Sequence, residues 1–366
     1  MESIKNDIFT IFRAYLCSNY VFKLENNVSN VLEFSNRCGI GVIVAYTLKK
    51  NDLYKNESIL DNILFYNVAK YEKQKLVRKR IKSILEENGV NFIFLKGSSL
   101  AKYYEEKYLR YSSDIDLIVE KVNYEKAKDL LLNNNFALIG SSLNELTLQS
   151  KEKVNVDLHS MFTLNDENIE VLFKDVKFDN GHELNNEYKY IFTVYHAAKH
   201  LKVNYISLQF LFDIYYLNKL VSDKQLINNT LKKMNLDKFN IATLQLIDYI
   251  MNENTKSELV TEYFEFLINT SNSKGIENMV LVGQSNEKSR INYLISRAFP
   301  KYEEMYRIYP NVKKNKVLLP YFYAKRIFDR IKQGYYNNAI NEINASFKVD
   351  KTKVKETKKL FEEIGL

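Results

Sequence analysis

Two stretches of the chain decide the fold: FIFLKGSSLAKYYEEKYLRYSSDID at residues 92–116 and VNVDLH at residues 154–159. The apolar run at residues 90–95 is rich in β-forming residues and is bounded by glycines, which is typical of a buried strand. After the turn KGSS at residues 96–99, apolar residues recur at helical spacing to about Tyr108. We therefore predict a strand, a Gly-Ser turn, a helix and then two strands that carry carboxylates.

The first carboxylate-bearing strand begins with Asp114 and Asp116, which stand two residues apart in an alternating segment. Side chains at positions i and i+2 of a strand point to the same face, so both carboxylates face one way while Ile115 and Leu117 face the core. Adjacent carboxylates repel each other and are tolerated when a divalent cation lies between them. A solvated strand end would carry the same pair, so the pair alone leaves both interpretations open.

A third carboxylate stands in the second stretch, where Asp157 and His159 share the face opposite Val156. If this strand lies beside the Asp114–Asp116 strand, Asp157 completes a cluster of three carboxylates. Such clusters hold two Mg²⁺ ions for in-line displacement at phosphorus. One ion would lower the pKa of the attacking hydroxyl, and the other would hold the triphosphate and the leaving pyrophosphate.

The Gly-Ser turn supplies a candidate site for phosphate. Gly97 lets the backbone approach a ligand closely. Ser98 or Ser99 is a natural N-cap, and the free N–H groups of the following helix would bind the β- and γ-phosphates. A Gly-Ser pair that opens a helix is common, and the order of turn, helix, D-x-D strand, helix and third Asp makes the signal specific.

The rest of the chain is predominantly helical. We predict an α+β fold in which a small mixed-sheet core, residues 89–182, is flanked by an N-terminal helical region, residues 1–88, and a C-terminal helical domain, residues 183–366. Gly89 is expected to end the last N-terminal helix, since glycine readily adopts the left-handed conformation. Residues 271–288 are predicted to be a loop or junction.

Bulk composition sets limits on the class of protein. The net charge of +8 over 366 residues fits a polyanionic ligand such as a nucleotide or RNA, although it favours a plain solvated basic surface over nucleic-acid binding. Two cysteines exclude a disulfide framework and a cysteine-built zinc site, so we expect a cytoplasmic protein. The longest apolar run, Gly39–Leu48, is about half of what spans a bilayer, so no membrane partner is expected.

The motifs resemble the nucleotidyltransferase superfamily, which has a polymerase β-like fold, and more closely the bacterial family of uncharacterised nucleotidyltransferases. The resemblance covers residues 90–215 in its specific motifs and residues 60–330 loosely. The matching residues are Leu95-Lys96-Gly97, Tyr103-Tyr104, Arg110, Ser113-Asp114-Ile115-Asp116-Leu117, Val156-Asp157-Leu158-His159, His196-Ala197-Ala198-Lys199-His200-Leu201 and Asp213. Two features depart from the superfamily pattern, namely Lys96 before Gly97 and the long gap to Asp114, although both agree with the closer family.

The resemblance implies Mg²⁺-dependent transfer of a nucleoside monophosphate from an NTP to a hydroxyl, with release of pyrophosphate. Asp114 and Asp116 would bind both metal ions, and Asp157 would bind the catalytic one and orient or deprotonate the acceptor hydroxyl. The residues implied to bind the nucleotide are Lys96, Gly97, Ser98, Ser99, Arg110 and Lys199. The acceptor would be a small molecule, a peptide or a protein. RNA as acceptor and a non-catalytic nucleotide-binding scaffold are the alternatives.

Arg110 has two interpretations. Its guanidinium could grip two phosphate oxygens at once, or it could pair with a neighbouring carboxylate such as Glu105 or Glu106.

His196 and His200 are four residues apart and share one face of a predicted helix. The spacing invites a zinc interpretation, but the metalloprotease signature is missing because no Glu follows His196. Packing within the helix and lining of the cleft, where Lys199 or His200 would meet phosphate or acceptor, stay open. Asp213 is a candidate to orient one of these histidines, and His159 is a candidate partner beside Asp157.

Overall fold

The structure, a computed structural model, describes most of the chain and forms two compact units. The first unit spans Met1–Ala198 and Ile206–Asn272 together with Gly365, and the second spans Lys199–Tyr205 and Ser273–Ile364 together with Leu366. The described residues are 2–141, 145–160, 183–203, 206–252, 256–272, 275–302, 304–305, 309, 312, 316–332 and 336–366. The predicted boundaries at residues 88 and 182 stay predictions.

One five-stranded sheet lies in the first unit. Its strands are β1 (Phe92–Phe94), β2 (Asp114–Val119), β3 (Ala137–Ser141), β4 (Glu145–Gln149) and β5 (Asn155–Ser160). They are arranged in the order β1-β2-β5-β4-β3. Only β2 and β5 run parallel, while the other neighbouring pairs are antiparallel, so the sheet is mixed. The predicted α+β class with a small mixed sheet is confirmed.

Four helices precede the sheet in the chain. They are α1 (Glu2–Leu16), α2 (Val28–Arg37), α3 (Gly41–Lys50) and α4 (Ser58–Glu87). Helix α4 ends where the sequence predicts. Gly89 adopts the left-handed conformation with φ +65°, and the amide of Val90 bonds to the carbonyl of Leu85.

The core of the sheet is built by the alternating apolar residues of the two central strands. Ile115, Leu117 and Val119 of β2 are buried together with Val156 and Leu158 of β5. This face is covered by α4 and by α5 (Tyr124–Asn133). Asp116 and Ile118, on the other face of β2, are 7% and 0% exposed, so the strand is buried on both faces rather than half-buried as the sequence suggests.

Helices again follow the sheet. After β5 come α6 (Asn186–Leu201), whose residues up to Ala198 belong to the first unit, and then α7 (Gln209–Leu220), α8 (Lys224–Lys233), α9 (Asp237–Met251) and α10 (Glu258–Asn272) of that unit. Those of the second unit are α11 (Ile276–Ser285), α12 (Arg290–Ala298), α13 (Leu319–Lys332), α14 (Tyr336–Lys348) and α15 (Lys351–Ile364). In the described parts of the chain, no helix is both long and apolar enough to cross a membrane.

Two local predictions are wrong. The segment after the Gly-Ser turn is not an α-helix but three short 3-10 helices, Gly97–Ser99, Ala101–Tyr103 and Lys107–Leu109, because Tyr104 is extended and interrupts the pattern. The predicted loop at 271–288 contains α11, whose two valines at 280 and 282 are fully buried. Tertiary packing of these side chains outweighs the weak helix propensity of β-branched residues.

We expect Leu117→Ala to lower the free energy of unfolding by about 2–5 kcal/mol, because it opens a cavity in a fully buried site. The control is Leu53→Ala, the same substitution at a position that is 66% exposed, which should change stability by no more than about 0.5 kcal/mol. Urea unfolding followed by circular dichroism measures both. Equal effects at the two positions would contradict the described core.

Candidate active site

The parallel pairing of β2 and β5 brings two of the predicted carboxylates together. In the register of this pair, Asp116 lies opposite Asp157, Asp114 opposite Asn155, and Ile118 opposite His159. Side chains at directly opposed positions of neighbouring strands point to the same face of the sheet. The carboxylates of Asp116 and Asp157 are therefore neighbours, as the alternation of the two segments predicts.

Asp116 carries a buried negative charge that the ammonium of Lys96 neutralises and that His159 contacts by a hydrogen bond. Its Oδ1 lies 3.0 Å from Nζ of Lys96 and 3.4 Å from Nε2 of His159. Burial by itself raises the pKa of this carboxyl, but the charge of Lys96 and the hydrogen bond from His159 outweigh burial and hold the pKa well below its usual range. The carboxylate is therefore ionised at neutral pH.

The backbone turn holds Lys96 over this carboxylate. The amide of Leu95 bonds to the carbonyl of Asp116 at 3.0 Å, so the pairing of β1 with β2 continues up to the turn. Lys96 then adopts φ +39°, which is unfavourable for a residue with a side chain and costs on the order of 1–3 kcal/mol. Gly97 follows with φ +40°, and a Cβ added there would meet Oγ of Ser112 at 2.8 Å.

The predicted anion site at this turn has a different geometry. The 3-10 segment is only three residues long, and its N–H groups turn inward: the amides of Ser99 and Leu100 bond to the carbonyls of Lys96 and Gly97. The hydroxyl of Ser99 also donates to the carbonyl of Lys96, at 2.7 Å. Ser99 is thus engaged within the turn, and the side chain of Ser98 lies outside the described residues.

Asp114 stands at the start of β2 and is half-buried. The two preceding serines hold it: the hydroxyl of Ser113 donates to Oδ2 at 3.0 Å, and that of Ser112 donates to the Asp114 carbonyl at 2.7 Å. Its carboxylate is thereby oriented at the strand end, next in line to that of Asp116.

Arg110 lies in a buried ion pair with a carboxylate of α7. Its Nε lies 2.8 and 3.1 Å from the two carboxylate oxygens of Asp213, and both side chains are largely buried. The hydroxyl of Tyr104 donates to the same carboxylate at 2.7 Å. Glu105 instead accepts hydrogen bonds from two tyrosines. Arg110 is therefore paired with a carboxylate, as one interpretation predicts, but the carboxylate is that of Asp213 rather than Glu105. The phosphate contact of Arg110 and the role of Asp213 toward a histidine stay predictions.

This buried pair connects α7 to the segment that leads into β2. Burial lowers the pKa of Arg110, but the adjacent carboxylate of Asp213 overcomes this and raises it. Gln209, also on α7, donates from its side-chain amide to the carbonyl of Leu109 at 2.9 Å. The connector that positions Asp114 is therefore anchored by two side chains of one helix.

The remaining predicted residues lie on α6. His196 is partly buried and stacks on Phe192, with ring centroids 6.1 Å apart and an interplanar angle of 11°. Lys199 and His200 are exposed in the last turn of the helix and belong to the second unit. The predicted roles of Lys199 and His200 toward phosphate or acceptor stay predictions.

One group of charged residues near the turn was missed by the sequence analysis. The carboxylate of Glu183 lies 2.7 Å from Nζ of Lys102, 2.8 Å from Nζ of Lys189 and 3.8 Å from the guanidinium of Arg78. We call these four residues the Glu183 cluster. They come from four separate segments of the chain, so no spacing in the sequence could reveal them.

The carboxylates fit a divalent cation by their chemistry. Hard ions such as Mg²⁺ prefer carboxylate oxygens, and Asp114, Asp116 and Asp157 supply them on one face of the sheet. Among the residues that the structure describes, no three His, Cys, Asp or Glu side chains are grouped closely enough to hold a metal ion. The ammonium of Lys96 instead contacts the Asp116 oxygen that such an ion would use.

A family model described as uncharacterised nucleotidyltransferase matches residues 25–252. The match covers well over half of the chain and includes every strand of the sheet, the three aspartates and Asp213. The chain therefore belongs to the uncharacterised nucleotidyltransferase family, which confirms the resemblance drawn from the sequence. No curated protein matches the chain.

We expect Asp213→Asn to lower the free energy of unfolding by about 3–5 kcal/mol, because it leaves the buried guanidinium of Arg110 without a counter-charge. The control is Glu33→Gln, which breaks the exposed Arg37–Glu33 pair on α2 and should cost at most about 1 kcal/mol. Urea unfolding measures both. A loss for Asp213→Asn no larger than that of the control would show that the buried pair is not an anchor.

Proposed function

We propose that this chain is a divalent-metal-dependent nucleotidyltransferase, which moves a nucleoside monophosphate from an NTP to an acceptor hydroxyl and releases pyrophosphate. The observation that carries the proposal is the register of β2 and β5, which sets Asp116 opposite Asp157 beside the Lys96-Gly97 turn. Membership of the family supports the reaction class. The proposal adds the metal, the donor and the roles of the residues.

The three aspartates are the residues proposed to hold two Mg²⁺ ions. When bound, the ions would polarise the phosphoryl oxygens and lower the pKa of the attacking hydroxyl. Asp157 is proposed to accept a hydrogen bond from the acceptor hydroxyl and so to orient it. His159, which lies 3.4 Å from Asp116, would keep that carboxylate ionised and fixed.

Lys96 is proposed to have two positions. In the metal-free chain its ammonium neutralises Asp116, so it competes with any cation for the same oxygen. Lys96 would leave Asp116 when that carboxylate holds a divalent cation, because like charges repel each other. The negative charge nearest to the turn would then be the triphosphate of the donor, which lysine binds as a compact point charge.

The acceptor is proposed to be a small molecule, a peptide or a protein. RNA is the second candidate, because the net charge of +8 suits a polyanion. The two cysteines, one exposed and one buried, are too few for a disulfide framework, which supports our proposal that the protein works in a reducing compartment such as the cytoplasm.

We expect Asp116→Asn to reduce nucleotidyl transfer at least about a hundredfold, because loss of a metal-binding carboxylate removes several kcal/mol of charge stabilisation. The assay incubates the purified protein with Mg²⁺, each α-³²P-labelled NTP and cell extract. The control is Asp129→Asn, the same change on the exposed face of α5. The size of the labelled species, and its sensitivity to protease or RNase, identify the acceptor class.

If Asp116→Asn labels the acceptor as strongly as the wild type does, the proposed role of the carboxylates is wrong. If no NTP gives any label, calorimetry with a non-hydrolysable NTP decides between two cases. Tight binding with no product from any acceptor would favour the non-catalytic scaffold.

We expect Lys96→Met to tighten Mn²⁺ binding in the absence of nucleotide roughly ten- to a hundredfold, the equivalent of one charge-assisted hydrogen bond. The physical reason is the removal of a cation that competes for Asp116. Electron paramagnetic resonance of free Mn²⁺ measures the affinity without turnover. The control is Lys126→Met, at an exposed lysine on α5. An unchanged affinity of Lys96→Met for Mn²⁺ would show that the ammonium does not compete with the cation for Asp116.

A further inference from the structure

The Glu183 cluster carries more positive charge than its carboxylate neutralises. Lys102, Lys189 and Arg78 converge on Glu183, so among the described residues three cations face one anion and the formal charge of the four is positive. Ordinary ion pairs in proteins match one cation to one carboxylate. An excess of cations around a single carboxylate indicates that a further anion can be accommodated.

The cluster is partly buried, which strengthens its effect on an anion. The side chains of Lys189, Arg78 and Glu183 are 6%, 20% and 27% exposed, while that of Lys102 is 47% exposed. Charges interact more strongly where water is partly excluded. Within the cluster, Lys102 is therefore accessible from solvent, while Lys189 is shielded from water.

The cations are held in place by neutral partners. Lys189 also donates to the hydroxyl of Tyr103 at 3.3 Å, and that hydroxyl donates to Asn186 at 2.8 Å. The guanidinium of Arg78 lies over the ring of Phe94, 4.4 Å from its centroid. Its Nε is buried and has no hydrogen-bond partner within the described part of the chain. A preorganised donor without an acceptor is a second indication of an absent anion.

The position of the cluster joins it to the candidate active site. Glu183 forms an isolated parallel bridge with Phe94, at the end of β1 and two residues before Lys96. A narrow crevice of about 10 Å³ is lined by Lys96 and Ser99 of the turn together with Lys189 of the cluster. The crevice is too small for a nucleotide as it stands, so a ligand that bridges the two groups must displace a side chain.

We propose that the Glu183 cluster is a polyphosphate-binding site whose own carboxylate occupies it until the ligand arrives. Polyphosphate carries several negative charges and many acceptor oxygens, so it satisfies lysine ammonium groups and a guanidinium better than one carboxylate does. Glu183 is the side chain that the ligand displaces. The inference rests on the proposed function, since the polyphosphate is either the triphosphate of the donor or a phosphate group of the acceptor.

The test measures binding of inorganic tripolyphosphate by calorimetry, with EDTA present and at low salt. We expect Glu183→Gln to bind at least about tenfold tighter than the wild type, because it removes the competing carboxylate but keeps the shape of the side chain. The matched control is Glu152→Gln, which releases Arg80 from a comparable pair outside the cluster and gives the same change in net charge. Affinity no tighter in Glu183→Gln than in Glu152→Gln would overturn the proposal.

Two further variants keep the test decisive if Glu183→Gln folds poorly. Lys102→Met removes the most exposed cation of the cluster and should weaken tripolyphosphate binding about tenfold. Lys126→Met, at an exposed lysine on α5, should leave binding unchanged. Equal affinities for these two lysine variants would overturn the proposal, because a general basic surface would then account for the binding.

A final arm identifies the source of the phosphate and separates this proposal from the reaction. A non-hydrolysable NTP that competes with tripolyphosphate supports the donor triphosphate, and simultaneous binding of both supports an acceptor phosphate. Since EDTA removes divalent ions, the measurement does not depend on the three aspartates. If Asp116→Asn loses nucleotidyl transfer while Glu183→Gln leaves tripolyphosphate binding unchanged, this inference is wrong and the proposed function is supported.

Discussion

A carboxylate inside a protein needs a positive charge beside it, and Asp116 meets that condition through Lys96, with a further hydrogen bond from His159. The pairing of β1 with β2 continues to the turn, where two successive residues with positive φ set the lysine over the strand. The strained turn, the burial of β2 and the ionisation of Asp116 are therefore parts of one arrangement. The burial of the ionised Asp116 depends on the contact with Lys96, and that contact depends on the strained turn.

A second buried ion pair extends the same principle to the helices. Arg110 and Asp213 lie outside the sheet, yet they tie α7 to the connector that ends at Asp114. A buried pair contributes little net stability compared with apolar packing, but it fixes geometry, because each charge tolerates few alternative positions. We infer that the helices after the sheet also position the candidate site, since α7 holds the connector at the start of β2.

Much of the fold and part of the site could be predicted from the sequence. The strands at residues 114–119 and 155–160 follow from alternation, and so does the common face of Asp116 and Asp157. These features depend on local pattern, which a sequence displays directly. The partner of Arg110 and the Glu183 cluster depend on side chains that are distant along the chain and meet only in three dimensions. The three 3-10 helices were missed because the extended Tyr104 is held by a hydrogen bond to Asp213, which no local pattern encodes.

The parallel pairing of β2 with β5 has a consequence for how the protein is made. Asp116 and Asp157 are separated by roughly forty residues, which include α5, β3 and β4. A parallel pair cannot close as a hairpin, so the chain must complete that crossover before the two carboxylates meet. During synthesis the aspartates are separate acidic residues on an unfinished chain. They come together only when the last strand, β5, takes its place between two strands made earlier, β2 and β4.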